Sequence, residues 1–233
     1  MLKVQTPTDE TELRAEQRIP MSYEEFLALD GEHQHAEWEE GVTIIFMPAT
    51  PRHQDIVTFL AALIRLFSEF FQLGRVYTAP VEMKVSPTSN AREPDLLFVT
   101  KEHLGWIDEK RLTGPADLAV EVISPESASR DQKKKLREYE AAGVKEYWVL
   151  DARPGRQVAQ FWQLNAHGRY QAEAINEDGI YHSLVLKGFW LDVAWFSAAE
   201  LPDPLFTFAQ IVGLPQDMVE RLRQIAARGP VEE

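Results

Sequence analysis

The amino-acid sequence predicts a mixed α/β (α+β) fold, in which helices flank a central mixed sheet and antiparallel strands follow towards the C-terminus. Residues 94–99 and 118–123 are short apolar runs between turn signals, a pattern typical of strands buried on both faces. Residues 51–73 carry apolar side chains at helical spacing. Residues 158–186 contain successive strand-like segments with glycine-bearing turns. Elements in this order indicate one sheet with flanking helices, and 233 residues suffice for a single domain with a full core.

The first elements are short. Residues 1–20 are polar and acidic at their start, and we expect them to form a flexible N-terminal segment. Ser22 and Glu25 have the spacing of a capping box, which predicts a short helix directly after Ser22. Residues 35–47 are expected to form a hairpin that turns near Gly41.

The central elements alternate between helix and strand. Gly74 is expected to end the long helix over residues 51–73, because glycine commonly follows the last helical turn. Residues 76–85 alternate like a strand. Residues 129–142 are predicted to be helical up to Gly143.

The C-terminal part reads as strands followed by one helix. The predicted strands cover residues 146–150, 158–164, 169–174 and 183–186. A closing helix is expected over residues 206–226. The main domain is therefore predicted to span residues 21–200, and residues 201–233 to form a helical C-terminal extension.

Composition excludes several classes of site. The absence of cysteine excludes disulfides, zinc–thiolate and iron–sulfur centres, and thiol catalysis. No GxGxxG, Walker A, GxSxG or HExxH motif is present. The N-terminus has no apolar stretch for a signal peptide, and the longest apolar run, residues 56–67, is too short to cross a bilayer. We therefore expect a cytoplasmic protein.

The net charge of −13 counts against a nucleic-acid partner, because phosphate binding normally leaves a basic footprint. Two observations reduce its weight. A cluster of carboxylates that binds metal adds negative charge until the metal is bound. Basic residues are also grouped locally, since Lys133, Lys134, Lys135 and Arg137 are close together in the sequence.

Three carboxylates stand out against their surroundings. Asp95 opens one predicted strand, Glu121 interrupts the apolar run of another, and Glu37 precedes the hairpin turn. A carboxylate within an apolar strand costs free energy unless it is paired or coordinated. Two adjacent strands would allow Asp95 and Glu121 to share one cation. Oxygen ligands without cysteine favour Mg²⁺ or Mn²⁺ over zinc.

The helix after the second strand carries a further pattern. Asp131, Lys135 and Tyr139 recur every four residues, so they share one helix face. The helix follows the strand of Glu121 and can fold back towards it. Lys135 would then direct its ammonium group at a metal-bound water or a phosphate oxygen. A metal ion with a lysine at the developing negative charge is suited to phosphodiester hydrolysis.

These segments together resemble the family of putative restriction endonucleases within the PD-(D/E)XK nuclease superfamily. The resemblance covers roughly residues 21–191 and rests on the joint order and spacing of its segments. The matching segments are residues 37–41, 51–54, 93–99, 120–125, 131–139 and 143–151. The resemblance implies a restriction-endonuclease-like fold, a Mg²⁺- or Mn²⁺-dependent endonuclease that acts on DNA, and a homodimer.

The resemblance also implies roles for individual residues. Asp95 and Glu121 would bind the metal, and Glu37 would be an accessory acid from the N-terminal region. The superfamily usually has a lysine two positions after the glutamate, where this chain has Ile123. The chain departs from the pattern there, and the resemblance implies that Lys135 on the following helix replaces that lysine.

Each acidic residue also has a structural interpretation. Asp95 can be a turn or cap residue, because it follows a proline. Glu121 can form a buried ion pair with an arginine. Glu37 can be an exposed strand residue.

The other candidates have structural interpretations as well. The pair Asp131–Lys135 can be a plain helix salt bridge worth roughly 0.3–0.5 kcal/mol. Lys84, close to an acidic residue in a predicted strand, is a rival for the catalytic lysine. For Tyr139, a role in packing is favoured over a role in catalysis. His53, at the start of the long helix, can cap that helix or face the site.

A second hypothesis is therefore kept beside the endonuclease. The chain can be a catalytically inactive nuclease-fold module that binds nucleic acid or protein. The net charge and Ile123 favour this alternative. The sequence leaves RNA open beside DNA as the nucleic acid.

Overall fold

The fold is centred on a six-stranded sheet in the computed structural model, which describes residues 16–28, 35–46, 49–123, 130–151, 153 and 158–229. The strands in chain order are β1 (Glu16–Pro20), β2 (Ala36–Glu39), β3 (Val42–Phe46), β4 (Gly74–Thr78), β5 (Glu82–Met83), β6 (Leu96–Thr100), β7 (Arg111–Leu112), β8 (Leu118–Ile123), β9 (Glu146–Asp151), β10 (Val158–Leu164), β11 (Tyr170–Glu173), β12 (Ile180–His182) and β13 (Trp190–Asp192). The helices are α1 (Tyr23–Leu27), α2 (Pro51–Phe70), α3 (Leu136–Ala142), α4 (Pro204–Ile211) and α5 (Gln216–Ala227).

The central sheet has the strand order β11-β10-β9-β8-β6-β4. Strands β8 and β9 are parallel, and the other neighbours in this sheet are antiparallel. A separate three-stranded sheet has the order β1-β3-β2. The predicted mixed sheet with flanking helices and antiparallel C-terminal strands is confirmed.

The two faces of strand β8 pack in two different apolar cores. This alternation determines the face of the sheet on which the site forms. All six of its residues are buried, as the apolar run predicts. Leu118, Val120 and Val122 pack in the core that contains α2. Ala119 and Ile123 pack in the opposite core. Glu121 lies between these two in the alternation, so its carboxylate is directed to the face opposite α2.

Helix α2 begins as its sequence predicts but ends earlier. Thr50 caps its N-terminus, and Pro51 occupies the first turn, where a missing N–H costs nothing. The helix ends at Phe70, and the reversal is made by Gln72, with φ of 55°. The prediction that Gly74 ends the helix was therefore wrong. Gly74 is the first residue of β4 and is paired with Thr100 of β6.

The N-terminal elements are partly as predicted. Ser22 and Glu25 form the capping box at the start of α1. Strands β2 and β3 form the expected hairpin, with Gly41 at a φ of 85° in its turn. Strand β1 pairs with β3, although it lies in the segment expected to be flexible. Residues 1–15 of that segment lie outside the described residues.

The prediction of a strand over residues 183–186 was wrong. The strands of that region are β12 and β13, which pair with each other on either side of it. The Ser183 hydroxyl donates to the buried Glu146 carboxylate at 2.9 Å and accepts from the Leu186 amide at 2.9 Å. Local side-chain hydrogen bonds of this kind replace the ladder of a strand.

The single closing helix was also wrong in its extent. The chain forms two helices, α4 and α5, separated by a turn at Gly213, which has a φ of 66°. Phe208 and Ile211 of α4 belong to the core that contains α2. Among the described residues, no helix is long and apolar enough to cross a membrane.

Substitution of Gly74 tests its new role. A Cβ atom at this position would overlap the carbonyl oxygen of Val99 and lie 2.8 Å from the Cα atom of Thr100. Because both are backbone atoms of the paired strand, Gly74→Ala should lower the free energy of unfolding by at least about 1–3 kcal/mol, measured by urea unfolding. Gly105→Ala is the matched control, since nothing lies within 4 Å of a Cβ atom there. Equal stability of the two variants would contradict the assignment.

Candidate active site

Glu121 is the centre of a cluster of buried polar side chains. It is 4% exposed and lies in the middle of the apolar strand β8. Its Oε1 atom accepts hydrogen bonds from the Lys135 ammonium at 2.7 Å and from the Tyr139 hydroxyl at 2.8 Å. These donors compensate the loss of hydration that a buried carboxylate suffers.

Lys135 connects Glu121 to the N-terminal sheet. Its ammonium nitrogen also lies 2.8 Å from Oε1 of Glu37, which belongs to β2 and is fully buried. Lys135 ends a π-helical turn, Arg130–Lys135, that continues directly into α3. The structure therefore brings Glu37, Glu121 and Lys135 together, and it excludes the interpretation of Glu37 as an exposed strand residue.

Asp95 lies beside Glu121 in the sheet. The antiparallel register pairs Leu96 with Val120, which places Asp95 opposite Glu121 one step along the ladder. One Asp95 oxygen accepts the Val122 amide at 2.7 Å. The other oxygen lies 3.3 Å from Nε2 of His53, in the first turn of α2. Asp95 thus receives a main-chain hydrogen bond, as a structural residue would, and it also borders the cluster.

Arg92, which no sequence motif singled out, organises the outer side of the cluster. Its guanidinium donates to Glu37 at 2.9 Å, to Glu39 at 2.7 Å and to Glu138 at 2.7 Å. Burial disfavours the charged guanidinium, but these carboxylates outweigh burial and raise the pKa of Arg92 above its ordinary value. A basic residue directly before the matching segment 93–99 was the signal that could have found it.

Glu93 is a second residue that the sequence analysis did not single out. It is 9% exposed, and its carboxyl group accepts the Ala36 amide at 3.1 Å. Burial raises the pKa of Glu93 to about 8, since Glu37 nearby adds to the effect and the Ala36 hydrogen bond only partly opposes it. Glu93 is therefore protonated in the folded chain below that pH.

Tyr139 combines packing with a polar contact. It is buried, and its ring meets that of Tyr147 edge to face with centroids 4.9 Å apart. Burial and the adjacent carboxylate of Glu121 raise the pKa of Tyr139 well above its ordinary value. Its hydroxyl consequently remains a proton donor to Glu121.

Two alternatives to Lys135 are placed elsewhere. The Lys84 ammonium lies 4.2 Å from the ring centroid of Tyr23 and 5.0 Å from that of Trp38, and it donates to the Ser89 carbonyl. Its contacts thus belong to an aromatic site around α1 and β2. Ile123, at the superfamily's usual lysine position, is 2% exposed and packs in the core opposite α2.

Asp131 remains a prediction. Its backbone lies in the π-helical turn before α3, but its side chain lies outside the described part of the structure. The salt bridge between Asp131 and Lys135 likewise stays a prediction.

The donor chemistry of the cluster fits a hard divalent cation held by few protein ligands. Among the described residues, no three acidic or imidazole side chains form a group that could enclose a metal ion. Asp95 and Glu121 are carboxylates on neighbouring strands at one register position. Mg²⁺ commonly binds through one or two carboxylates and completes its shell with water and substrate phosphate. Asp95 and Glu121 match that number of carboxylates.

Comparison with known proteins places the chain in a family. The model of the family described as "Uma2: Putative restriction endonuclease" matches residues 23–194. The chain belongs to this family. The resemblance that the sequence motifs indicated is thereby confirmed, and the match includes Glu37, Asp95, Glu121 and Lys135. No curated protein matches this Uma2-family chain in sequence.

A solved structure shares the fold. Its description is the crystal structure of a putative nuclease belonging to DUF820 from Anabaena variabilis ATCC 29413. It is 16% identical to this chain, with a TM-score of 0.62, and the match covers 76% of this chain and 97% of that chain. At this identity the similarity establishes the nuclease-like α+β fold.

Protonation of Glu93 predicts an unusual pH dependence of stability. Because the folded pKa of about 8 exceeds the ordinary value of 4.5, folding binds a proton between these values. The contribution of Glu93 to stability is thus full below pH 4.5 and declines as the pH rises through about 8. Glu93→Gln keeps an acceptor for the Ala36 amide without a titrating group.

We expect the free energy of unfolding of the wild type to fall more steeply than that of Glu93→Gln as the pH rises from 5 to 8, the window set by these pKa values. Urea unfolding at several pH values measures the difference. Glu173→Gln, an exposed change in β11, is the control. Parallel profiles for the wild type and Glu93→Gln would contradict the raised pKa.

Proposed function

We propose that this chain is an endonuclease that hydrolyses phosphodiester bonds in DNA with Mg²⁺ or Mn²⁺. One observation carries the proposal: the Lys135 ammonium lies 2.7 Å from Glu121 on the strand position opposite Asp95. Two carboxylates and a lysine at one point are the groups that metal-assisted phosphodiester hydrolysis requires. Membership of the Uma2 family supports the same reaction class.

Each residue has a distinct role in this proposal. Asp95 and Glu121 would hold the cation, which when bound supplies an activated water and neutralises charge on the phosphate. Lys135 would orient the attacking water or stabilise the negative charge that develops on the phosphate. Glu37 would assist by holding Lys135 in place through their contact of 2.8 Å.

Arg92 and His53 would support the same site from outside. Arg92 contacts Glu37 and would therefore fix the orientation of the carboxylate that Lys135 contacts. His53 lies 3.3 Å from Asp95 and limits the orientations of that carboxylate. Such supporting groups reduce the reorganisation that a reaction needs.

A catalytically inactive nuclease-fold module for binding nucleic acid or protein is the second candidate. Two observations favour it. Ile123 replaces the usual lysine, and no group of three metal-binding side chains occurs among the described residues. This module would bind its partner equally well after loss of the carboxylates.

Cleavage of plasmid DNA tests the enzyme. We expect the wild type to nick or linearise plasmid with Mg²⁺ or Mn²⁺, and Asp95→Asn or Glu121→Gln to reduce the rate at least about 100-fold. Glu173→Gln, an exposed carboxylate change in β11, is the matched control and should retain full activity. A parallel RNA substrate distinguishes the nucleic acids. Equal rates in the wild type and both site variants would exclude the proposal.

Metal binding separates the enzyme from the inactive module. Lys135→Met should abolish cleavage, because it removes the ammonium group that would act on the water or the phosphate. It should leave Mn²⁺ binding intact, because the Glu121 carboxylate that this ammonium contacts is retained. Asp95→Asn should lose Mn²⁺ binding. Calorimetry and the electron paramagnetic resonance of bound Mn²⁺ measure both effects.

Lys134→Met is the control for this experiment. Lys134 is the neighbouring lysine and pairs with Glu39, so its loss should leave both cleavage and Mn²⁺ binding near the wild-type values. Circular dichroism checks folding, since removal of Lys135 takes a cationic partner away from two buried carboxylates, Glu37 and Glu121. A folded wild type that binds no Mn²⁺ would favour the inactive module.

A further inference from the structure

A cavity of about 310 Å³ lies beside the start of α2, separate from the residues of the candidate active site. Its apolar lining includes Ile56, Leu150 and Phe196, which belong to the core that contains α2. This volume is at the lower end of the range of small-molecule sites, about 300–1,000 Å³. A small flat ring system therefore fits the cavity, whereas a helix or strand of a partner protein does not.

Hydrogen bonds within the chain hold one wall of the cavity in place. A guanidinium nitrogen of Arg52 donates to the carbonyl oxygens of Phe196 and Ala198, both at 2.9 Å. These bonds tie the segment after β13 to the first turn of α2. The carboxylate of Asp192, which lines the cavity, accepts the Ala194 amide at 2.8 Å and is oriented by it. A ligand would therefore lose little free energy in ordering this site.

The cavity and the candidate active site lie at the same edge of the central sheet. Asp151 at the end of β9 lines the cavity and is paired with Ile123 of the parallel strand β8. Glu121 lies two residues before Ile123, so the Cα atoms of Glu121 and Asp151 are about 8 Å apart. On α2, Ile56 follows His53 by three residues and shares its side of the helix. A nucleotide with its phosphate at Glu121 would therefore reach the cavity with its base.

The polar part of the lining selects among small ring systems. It contains the carboxylates of Asp151, Asp178 and Asp192. Asp151 is already paired with Arg153 through a contact of 2.6 Å, so Asp178 and Asp192 are the acceptors for a ligand. A carboxylate accepts hydrogen bonds and favours a ring that carries an amino group. Adenine, cytosine and guanine carry such a group, whereas thymine and uracil do not.

We propose that this cavity binds an unpaired, amino-bearing nucleobase of the substrate strand, next to the phosphate at the candidate active site. The inference rests on the proposed function, because that function places the phosphate. The base would pack against Phe196 and donate its amino group to Asp178 or Asp192. Proteins that bind unpaired bases use this combination of stacking and hydrogen bonds to the base edge.

Two consequences follow for the substrate. A base within an intact duplex is paired and stacked, so the substrate strand has to be single-stranded or the base has to leave the helix. The phosphate of the bound nucleotide would remain beside Lys135, outside the cavity with its carboxylates. A free organic amine would also meet the carboxylates, but it would make no use of the adjacent lysine. The position of the cavity therefore favours the base.

Binding of short single strands tests the proposal without cleavage. Strands of deoxycytidine and of deoxyuridine have rings of the same size but differ in the amino group. Fluorescence anisotropy in the presence of Ca²⁺ measures both affinities, and electrophoresis verifies that the strands stay intact. We expect the wild type to bind the deoxycytidine strand about tenfold more tightly, because only cytosine donates its amino group to a carboxylate.

Filling the cavity should remove this preference. Ala194 lines the cavity and is exposed, so Ala194→Trp should place an indole ring in the cavity without loss of folding. The deoxycytidine strand should then bind about as weakly as the deoxyuridine strand. Ala198→Trp is the matched control, since Ala198 is exposed in the same segment but is not part of the lining. Circular dichroism verifies the fold of both variants.

Neutralising the carboxylates tests how the base is read. The double variant Asp178→Asn/Asp192→Asn should bring the two affinities within about twofold of each other, because an amide also donates to the uracil carbonyl. Glu177→Gln is the matched control. Glu177 is the exposed acid next to Asp178 and is not part of the lining, so its loss should keep the preference for deoxycytidine.

Three results would overturn the proposal. One is a wild type that cuts plasmid DNA but binds the two strands equally, which would leave the proposed function standing without a base site. Another is a preference for deoxycytidine that Ala194→Trp does not change. The third is a wild type that binds benzylamine in calorimetry but neither strand, which would make the cavity a site for free amines. A preference that Ala194→Trp removes, in a wild type that never cuts DNA, would support the base site and contradict the cleavage.

Discussion

The rest of the site depends on the contacts of one buried ammonium group, that of Lys135. Lys135 lies within 2.8 Å of carboxylates from β2 and β8, two strands of different sheets. Buried charges are tolerated only when they are paired and hydrogen bonded, so these contacts hold the two sheets and α3 in a single arrangement. Arg92 extends the constraint, since it joins Glu37 to Glu138 of α3. Removing any one of these charges weakens the compensation of its buried partners.

The same constraint places a lysine beside Glu121 in a chain that has isoleucine at position 123. Ile123 fills the core at the position where the superfamily has its lysine. The π-helical turn before α3 brings Lys135 to the Glu121 carboxylate. Turns of π-helix are rare in proteins, and those that do occur are often found at functional sites. The charges that stabilise the cluster are therefore the same ones that the proposed catalysis would use.

The two ends of α2 have different neighbours. His53 at its start contacts Asp95 of the candidate site. Phe70 at its end packs on α4, which leads into α5. Although the chain has a net charge of −13, the electrostatic potential at the site depends mainly on nearby charges, because salt at 0.1 M screens electrostatic interactions beyond about 10 Å. The contacts of Lys135 at the site lie well within such distances.

The sequence by itself determined the elements that have a local pattern: the buried strands β6 and β8, the start of α2 and the capping box of α1. It also identified Asp95 and Glu121, because carboxylates are unusual in apolar strands. Only the tertiary structure decided which groups meet them. Arg92 and Glu93 became part of the cluster through side-chain hydrogen bonds to residues more than 50 positions away in the sequence. Gly74 proved to be a close backbone approach rather than a helix end for the same reason. Periodicity reports which face of an element is buried, whereas register and long-range packing set its neighbours, and no local window of sequence contains that information.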